Sequence, residues 1–481
     1  MSAPTLQART GPTTLRQAWL PLTALALAFF VEMVDNTVLT IALPTIARDL
    51  DAGPLALQWV TGVYALTFGG LLLTAGTIAD RFGRRRVLLT GIAAFGVVSA
   101  FAIVVESAGQ LIALRAALGV AAAAMAPVTM SLVFRLFDSE ALRMRAISVM
   151  VVVGMTGFAL GPILAGTALT HLSWHWLLLV NVPIALVAWI GVRVGIAADR
   201  SEDLHGAPLD VPAAVLTMAA LGLGAYVLTS GVERGWTSPV TLATGLGAVA
   251  AAGLFVVRER RAVFPMLDLA LLRTPALRGA VLAQLGSSVA MMVSMFALTL
   301  HFQDAYGWSP VRAGFAILPV VATMLAATPL AELAAGRLGH RVGCLLASGV
   351  MTVAMLGLAL AIPHGYVPIM AAMVVLIAGM RVIMTVCAIA LVDAMPENRT
   401  SVGTALNDTA QEVGTSVGAA LVGTALAAAV GSTPAGSWTA ATVDAFVRGE
   451  QVAFVLAAVL VGLVAGYGSS RLTDSRRTEE H

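Results

Sequence analysis

Gly76-Thr77-Ile78-Ala79-Asp80-Arg81-Phe82-Gly83-Arg84-Arg85-Arg86 is the stretch on which the reading of this chain turns. Asp80, Arg81, Arg84, Arg85 and Arg86 crowd together in it, and a long apolar segment lies on each side. Charges at that density are too costly to hold in lipid, so the stretch predicts a short loop at one membrane face. A worn copy, Arg337-Leu338-Gly339-His340-Arg341, matches Arg81-Phe82-Gly83-Arg84-Arg85 at a shift of 256 residues. Two hydrophobic halves carrying the same loop predict a duplicated transporter rather than a receptor or a membrane enzyme.

The composition points the same way. Hydrophobic residues make up 59% of the chain and charged residues 11%, against about 25% charged in a soluble domain. The net charge of +2 carries no signal for nucleic acid, because the basic residues follow the topology. All 28 of them are arginine, with no lysine, which reflects a GC-rich genome more readily than a physical need. Cys344 and Cys387 both lie in apolar segments, so no disulfide framework is implied. The apolar run after the first 17 residues is too long for a signal-peptide core and reads as the first span.

A helix needs about 20 apolar residues to cross the hydrocarbon. Fourteen segments qualify: 18–43, 57–79, 86–105, 109–135, 144–169, 175–197, 210–230, 239–257, 278–303, 310–336, 342–362, 366–392, 400–428 and 451–470. With the N-terminus in the cytoplasm, 22 arginines fall on the cytoplasmic side and 4 outside, and Arg115 and Arg381 fall within spans. That is a strong positive-inside bias, and removing one span would scramble it. The expected architecture is an all-α integral membrane protein with both termini cytoplasmic. It divides into a cytoplasmic tail (1–17), a six-helix bundle (18–197), two linker helices (198–257), a cytoplasmic connector (258–277), a second six-helix bundle (278–470) and a cytoplasmic tail (471–481). The connector, with Pro265 and Pro275, reads as partly an interfacial amphipathic helix. The segment 430–449 reads as the longest outer loop.

Several stretches resemble the fourteen-helix drug:proton antiporters of the major facilitator superfamily. Asp35-Asn36-Thr37-Val38-Leu39 with Ala42-Leu43-Pro44 closes the first span, and Gln58-Trp59-Val60 with Tyr64 opens the second. The loop with Gly76, Asp80, Arg81, Gly83, Arg84 and Arg85 matches the superfamily signature, and Arg115 with Gly119 a second one. Gly154, Gly157, Gly161, Pro162 and Gly166 match the antiporter motif of the fifth span. Pro265-Met266-Leu267-Asp268-Leu269 and the stretch Gly403–Gly418 are similar to this branch as well. The resemblance implies the major facilitator fold, two six-helix bundles with two inserted helices, working by alternating access. It implies that Asp80 meets the inner N-terminus of the thirteenth span near Arg399-Thr400-Ser401, and that the glycine motif forms an outer hinge and seal. The second-half loop departs from the pattern: Gly336 stands where Asp80 stands, so the switch role does not carry over.

Within the spans, Glu32, Asp35, Arg115, Arg381, Asp408 and Glu412 lie deep. A charge at the centre of a spanning helix costs about 2.5–3.5 kcal/mol, so such residues are expected to be paired, hydrated or protonated. Asp35 and Arg115 lie at matching depth, and the resemblance faces their spans to a central cavity; the alternative is a static pair that fixes packing. Glu32 shares a helix face with Asp35, and Asp408 with Glu412. Acids that close titrate as coupled groups, and Glu32, Asp35, Arg115, Asp408 and Glu412 are the expected proton-coupling and substrate residues, with Asp35 or Glu412 taking the proton. Asp408, nearer the inner surface, also reads as a helix-start residue. Asp304 and Glu332, near span ends, read as interfacial. Tyr64, Met292 and Met295 are candidates for a substrate wall, or plain helix packing.

The function expected is proton-coupled multidrug efflux of lipophilic cations across the bacterial inner (plasma) membrane, with protons as coupling ion and no cofactor or metal. Protons, lipophilic cationic drugs and the lipid bilayer are the expected partners, nucleic acid is not, and a monomer suffices. An exporter dedicated to one self-made antibiotic and a non-transporting membrane sensor are the alternatives. No nucleotide loop, histidine-rich metal spacing or serine elbow argues for an enzyme; His171 and His175 flank an outer loop as a chance pair.

Overall fold

The computed structural model describes residues 14–137, 139–199, 210–262, 273–393, 400–431 and 439–472. All regular structure among them is helical. A backbone surrounded by lipid must satisfy its own polar groups, and a helix does so within one segment.

Among the described residues, fourteen helices are long and apolar enough to span. They are α1 (Trp19–Asp49), α2 (Pro54–Phe82), α3 (Arg84–Val104), α4 (Ala108–Leu136), α5 (Glu140–Ala168), α6 (His175–Gly195) and α7 (Val211–Arg234). The rest are α8 (Pro239–Arg261), α9 (Pro275–Ala305), α10 (Pro310–Arg337), α11 (Gly339–His364), α12 (Tyr366–Asp393), α13 (Thr400–Val430) and α14 (Ala440–Ser470). Polar caps mark several outer starts. Ser107 accepts the Gln110 N–H at α4, Ser238 that of Thr241 at α8, Ser309 that of Arg312 at α10, and Thr439 that of Thr442 at α14. Each cap satisfies a helix-end donor that lipid cannot.

Two boundaries differ from the sequence reading in ways that matter. α1 runs through Pro44 to Asp49, six residues past the expected end. α14 begins at Ala440, so 440–449 is helix rather than loop and brings Asp444, Arg448 and Glu450 onto a spanning element. Hydropathy marks where a segment is oily, whereas a helix continues wherever its backbone bonds and packing persist. The connector lies mostly outside the described residues; α8 ends at Arg261 and α9 starts at Pro275.

The two halves meet chiefly along α2 against α13 and α5 against α10. The inserted helix α7 packs on both α2 and α13, with α8 behind it. Gln58 and Trp59 of α2 both donate to the Thr229 hydroxyl of α7 at 3.1 Å. Trp59 also stands against Tyr226, ring centroids 6.3 Å apart, so it is a packing residue under α7. A cavity of about 140 Å³ remains where α2, α7 and α13 converge, lined by Leu66, Leu221, Leu228, Val413 and Ser416 among others.

Candidate functional site

The first cluster lies inside the N-terminal half. Arg115 of α4 donates to Asp35 Oδ2 of α1 at 2.6 Å, with both side chains buried. Asn181 donates to Asp35 Oδ1 at 2.8 Å and reaches Ser99 Oγ at 3.4 Å. Both carboxylate oxygens are therefore engaged by donors. The guanidinium lies over the Tyr64 ring, 4.2 Å from its centroid, a cation–π contact that fills the site from the α2 side. A charge-assisted hydrogen bond in a dry interior is strong, and losing either partner strands the other. Asn181 was not legible beforehand, because a single amide inside an apolar run carries no pattern.

The second cluster crosses between the halves. Glu32, one turn from Asp35, is 1% exposed. The charges that act on it are those of Glu412, Asp408 and Asp35. Glu412 comes from α13, whose backbone lies so close to α2 that a Cβ on Gly69 would sit 2.5 Å from Glu412 Cβ. Glu412 Oε2 and the Tyr64 hydroxyl are both buried with no hydrogen-bond partner. Tyr64 feels Glu32, Asp35, Arg115 and Glu412 together, which puts it at the junction of the two clusters. Asp408 accepts from Asn407 at 3.3 Å. The geometry thus separates the acids into two kinds. Asp35 is held by a cation and an amide; Glu32, Asp408 and Glu412 converge from both halves, while the nearby guanidinium is already committed.

The remaining expected residues sort as follows. Met292 packs against Gly418 of α13, where a Cβ would lie 2.9 Å from Met292 Cβ, and Met295 is partly buried against the core. Arg381 keeps a buried Nε without a partner. In the cytoplasmic loop, Asp80 is bound by Arg84 at 2.9 and 3.1 Å and is half exposed. Gly76 has open space where a Cβ would go. Arg399, part of the partner expected for Asp80, lies outside the described residues. The loop is also anchored by a residue the sequence reading missed. Asp199, after α6, accepts the Arg85 backbone N–H at 3.0 Å and Arg135 at 3.3 Å, while Arg85 donates to the Arg193 carbonyl. The cap position of α3 is Gly83, which has no side chain to offer, so Asp199 supplies the carboxylate that the helix start attracts.

The glycine motif lines one face of α5. Cβ atoms on Gly154 and Gly157 would press on Phe29, Phe30 and Met33 of α1, and one on Gly161 would collide with Thr37. At Gly166 the neighbour changes to the other half: a Cβ would sit 2.6 Å from the Pro310 carbonyl oxygen of α10. Gly314 of α10 returns the contact against the Pro162 carbonyl, at 2.5 Å. Small residues let the two backbones touch at the outer ends of α5 and α10.

The Major Facilitator Superfamily model matches residues 25–419. The chain belongs to the major facilitator superfamily. As a member of this transporter superfamily with fourteen spanning helices, it is a multi-pass protein of the bacterial inner membrane. Within the superfamily it is similar to the multidrug efflux pump LfrA of Mycolicibacterium smegmatis, 36% identical over 320 residues, covering 66% of this chain and 63% of that protein. It is also similar to the methylenomycin A resistance protein of Streptomyces coelicolor, 32% identical over 390 residues, covering 79% and 80% of the two chains. The fold matches a bacterial homolog of the human lysosomal transporter Spinster, in an inward-facing and unoccupied conformation, with a TM-score of 0.68, 14% identity, and 96% and 98% coverage.

Proposed function

We propose that this protein is a proton-coupled efflux antiporter that exports lipophilic cations by alternating access. The observation that carries the reading is the meeting of Glu32 with Glu412 and Asp408 across the two halves, while Arg115 is committed to Asp35. Uncompensated carboxylates on both sides of the seam attract a cation from the cytoplasm when the inner side is open. Protons from the outer side neutralise them, the cation leaves, and loss of those protons inward resets the site. Tyr64, with its free hydroxyl among the acids, lies where it can pass a proton or face a flat cation. Asp35 and Arg115 act as the fixed anchor of this site. The similarity to the multidrug pump LfrA supports the efflux direction and a broad substrate range.

Glu412→Gln tests the reading. Its Oε2 has no partner to lose, so the variant should fold and reach the membrane, as its amount in the membrane fraction checks. In sealed vesicles, pH-gradient-driven export of a lipophilic cation should fall at least about tenfold, equivalent to some 1.4 kcal/mol, and dications should suffer more than monocations. Unchanged gradient-driven export in that variant would remove Glu412 from the coupling site. An exporter dedicated to one antibiotic is a second reading, favoured by the match along 80% of the methylenomycin A resistance protein. A growth-inhibition panel of dyes, quaternary ammonium biocides and antibiotics separates the two, since a dedicated exporter protects against a single compound class.

A further inference from the structure

A third buried ionisable cluster lies in the C-terminal half, away from the acids at the seam. His301, at the end of α9, and Glu450, on α14, meet at 2.7 Å between Nδ1 and Oε2, exposed by 1% and 0%. His301 Nε2, Glu450 Oε1 and the Tyr306 hydroxyl are all buried with no hydrogen-bond partner. The His301 ring stands edge-on to Tyr306, centroids 4.5 Å apart. Phe302, Tyr306, Trp308 and Tyr366 stack into a wall beside the pair, and Arg312 covers Trp308.

The backbone is unusual at this point. From His301 to Ala305 α9 becomes a π-helical turn, closed by the Tyr306 N–H on the His301 carbonyl at 3.0 Å. Such turns are rare and concentrate at functional sites. The same turn carries Gln303, which donates across to the Ile41 carbonyl of α1 at 2.8 Å. That bond joins the two halves. Ile41 lies six residues beyond Asp35 on α1, about 9 Å nearer the outer end, so the His–Glu pair belongs to the outer side of the acid cluster.

We propose that His301 and Glu450 form a second proton-binding site whose occupancy controls whether the outer side of the transporter opens. This rests on the proton-coupled reading of the acid cluster. A proton taken from outer water converts the Glu450 carboxylate to the acid. The charge-assisted bond that holds the π turn becomes an ordinary one, the turn relaxes, and the Gln303 bond to α1 weakens. When that proton leaves, the pair re-forms and the outer side closes again. The groups that act on the pair are few. They are Asp304 at the end of α9 and Tyr306 just after it; Arg48 of α1 acts in turn on Asp304, and α12 supplies Tyr366 to the aromatic wall. Arg448 and Asp444 lie farther out on α14 itself.

The test is the efflux rate of ethidium from preloaded cells as external pH is varied, for the full-length protein, His301→Gln and Glu450→Gln. Each amide keeps one hydrogen bond of the pair and removes one titrating group. Both variants should move the midpoint of the external-pH profile by about one unit or more, or flatten it. The double variant should do no more than the singles. Monodisperse elution in detergent establishes folding, and if one variant fails it, the other or the exchanged pair His301→Glu with Glu450→His carries the test. Profiles superimposable on the unmutated protein, or a drop of equal factor at every pH, would overturn the second site alone. An unmutated protein indifferent to external pH and to the gradient would overturn the proton-coupled reading and this inference with it.

Discussion

Asp35 shows how much a single residue's surroundings decide. By sequence it is one of several deep acids and a natural proton carrier. In the structure both of its oxygens are taken, by Arg115 at 2.6 Å and Asn181 at 2.8 Å. Asp35→Asn therefore leaves a buried guanidinium without its partner, a loss of about 3–5 kcal/mol. Its thermal midpoint in detergent should fall sharply, and adding Arg115→Gln should restore part of the loss rather than deepen it. A midpoint equal to that of the unmutated protein would show that the pair does not hold the N-terminal half together. The open carboxyls, Glu32 and Glu412, were legible as residues, since any acid deep in an apolar run stands out. Their meeting was not, because they lie 380 positions apart, on α1 and α13, and only the packing of the two halves brings them together. His301 was hidden as a lone histidine, and Glu450 because hydropathy placed it one residue before its span.

At the scale of elements, the antiporter motif resolves into two surfaces of one helix. Gly154, Gly157 and Gly161 seat α5 on α1, whereas Gly166 seats it on α10. The sequence pattern marked close approach without naming the neighbour, since any helix can present a stripe of small residues. Gly166→Ala would set a methyl 2.6 Å from a backbone oxygen and 2.8 Å from Val311 Cα, neither of which can swing aside. Overpacking of this kind costs about 1–3 kcal/mol, and it falls only on the state in which the outer ends touch. The variant should populate the outward-open state more, read as faster labelling of a cysteine at position 303 by an impermeant maleimide. Labelling at the unmutated rate would mean that α5 and α10 do not form the outer seal. The cytoplasmic loop is a second case: its arginines predicted the membrane face, but its anchor, Asp199, comes from the far end of the N-terminal half.

For the whole molecule, alternating access requires the outer contacts to break in every cycle. In a Cys344→Ser, Cys387→Ser background, a bifunctional maleimide joining cysteines at Ile41 and Gln303 should abolish export, while cysteines bridged by a reducible linker should regain it on reduction. Full export with the link in place would exclude rocking about this seam. The sequence by itself determined the fourteen spans, their orientation and the two-halves plan. Those properties depend on transfer of apolar segments into lipid and on the placement of arginines, which are additive along the chain. Only the tertiary structure decided which acids are held and which are open, where α7 covers the seam, and that a histidine and a glutamate face each other beneath the outer contact. Each of these depends on distances between helices far apart in sequence, and burial gives a charge its meaning only through the neighbours that packing supplies.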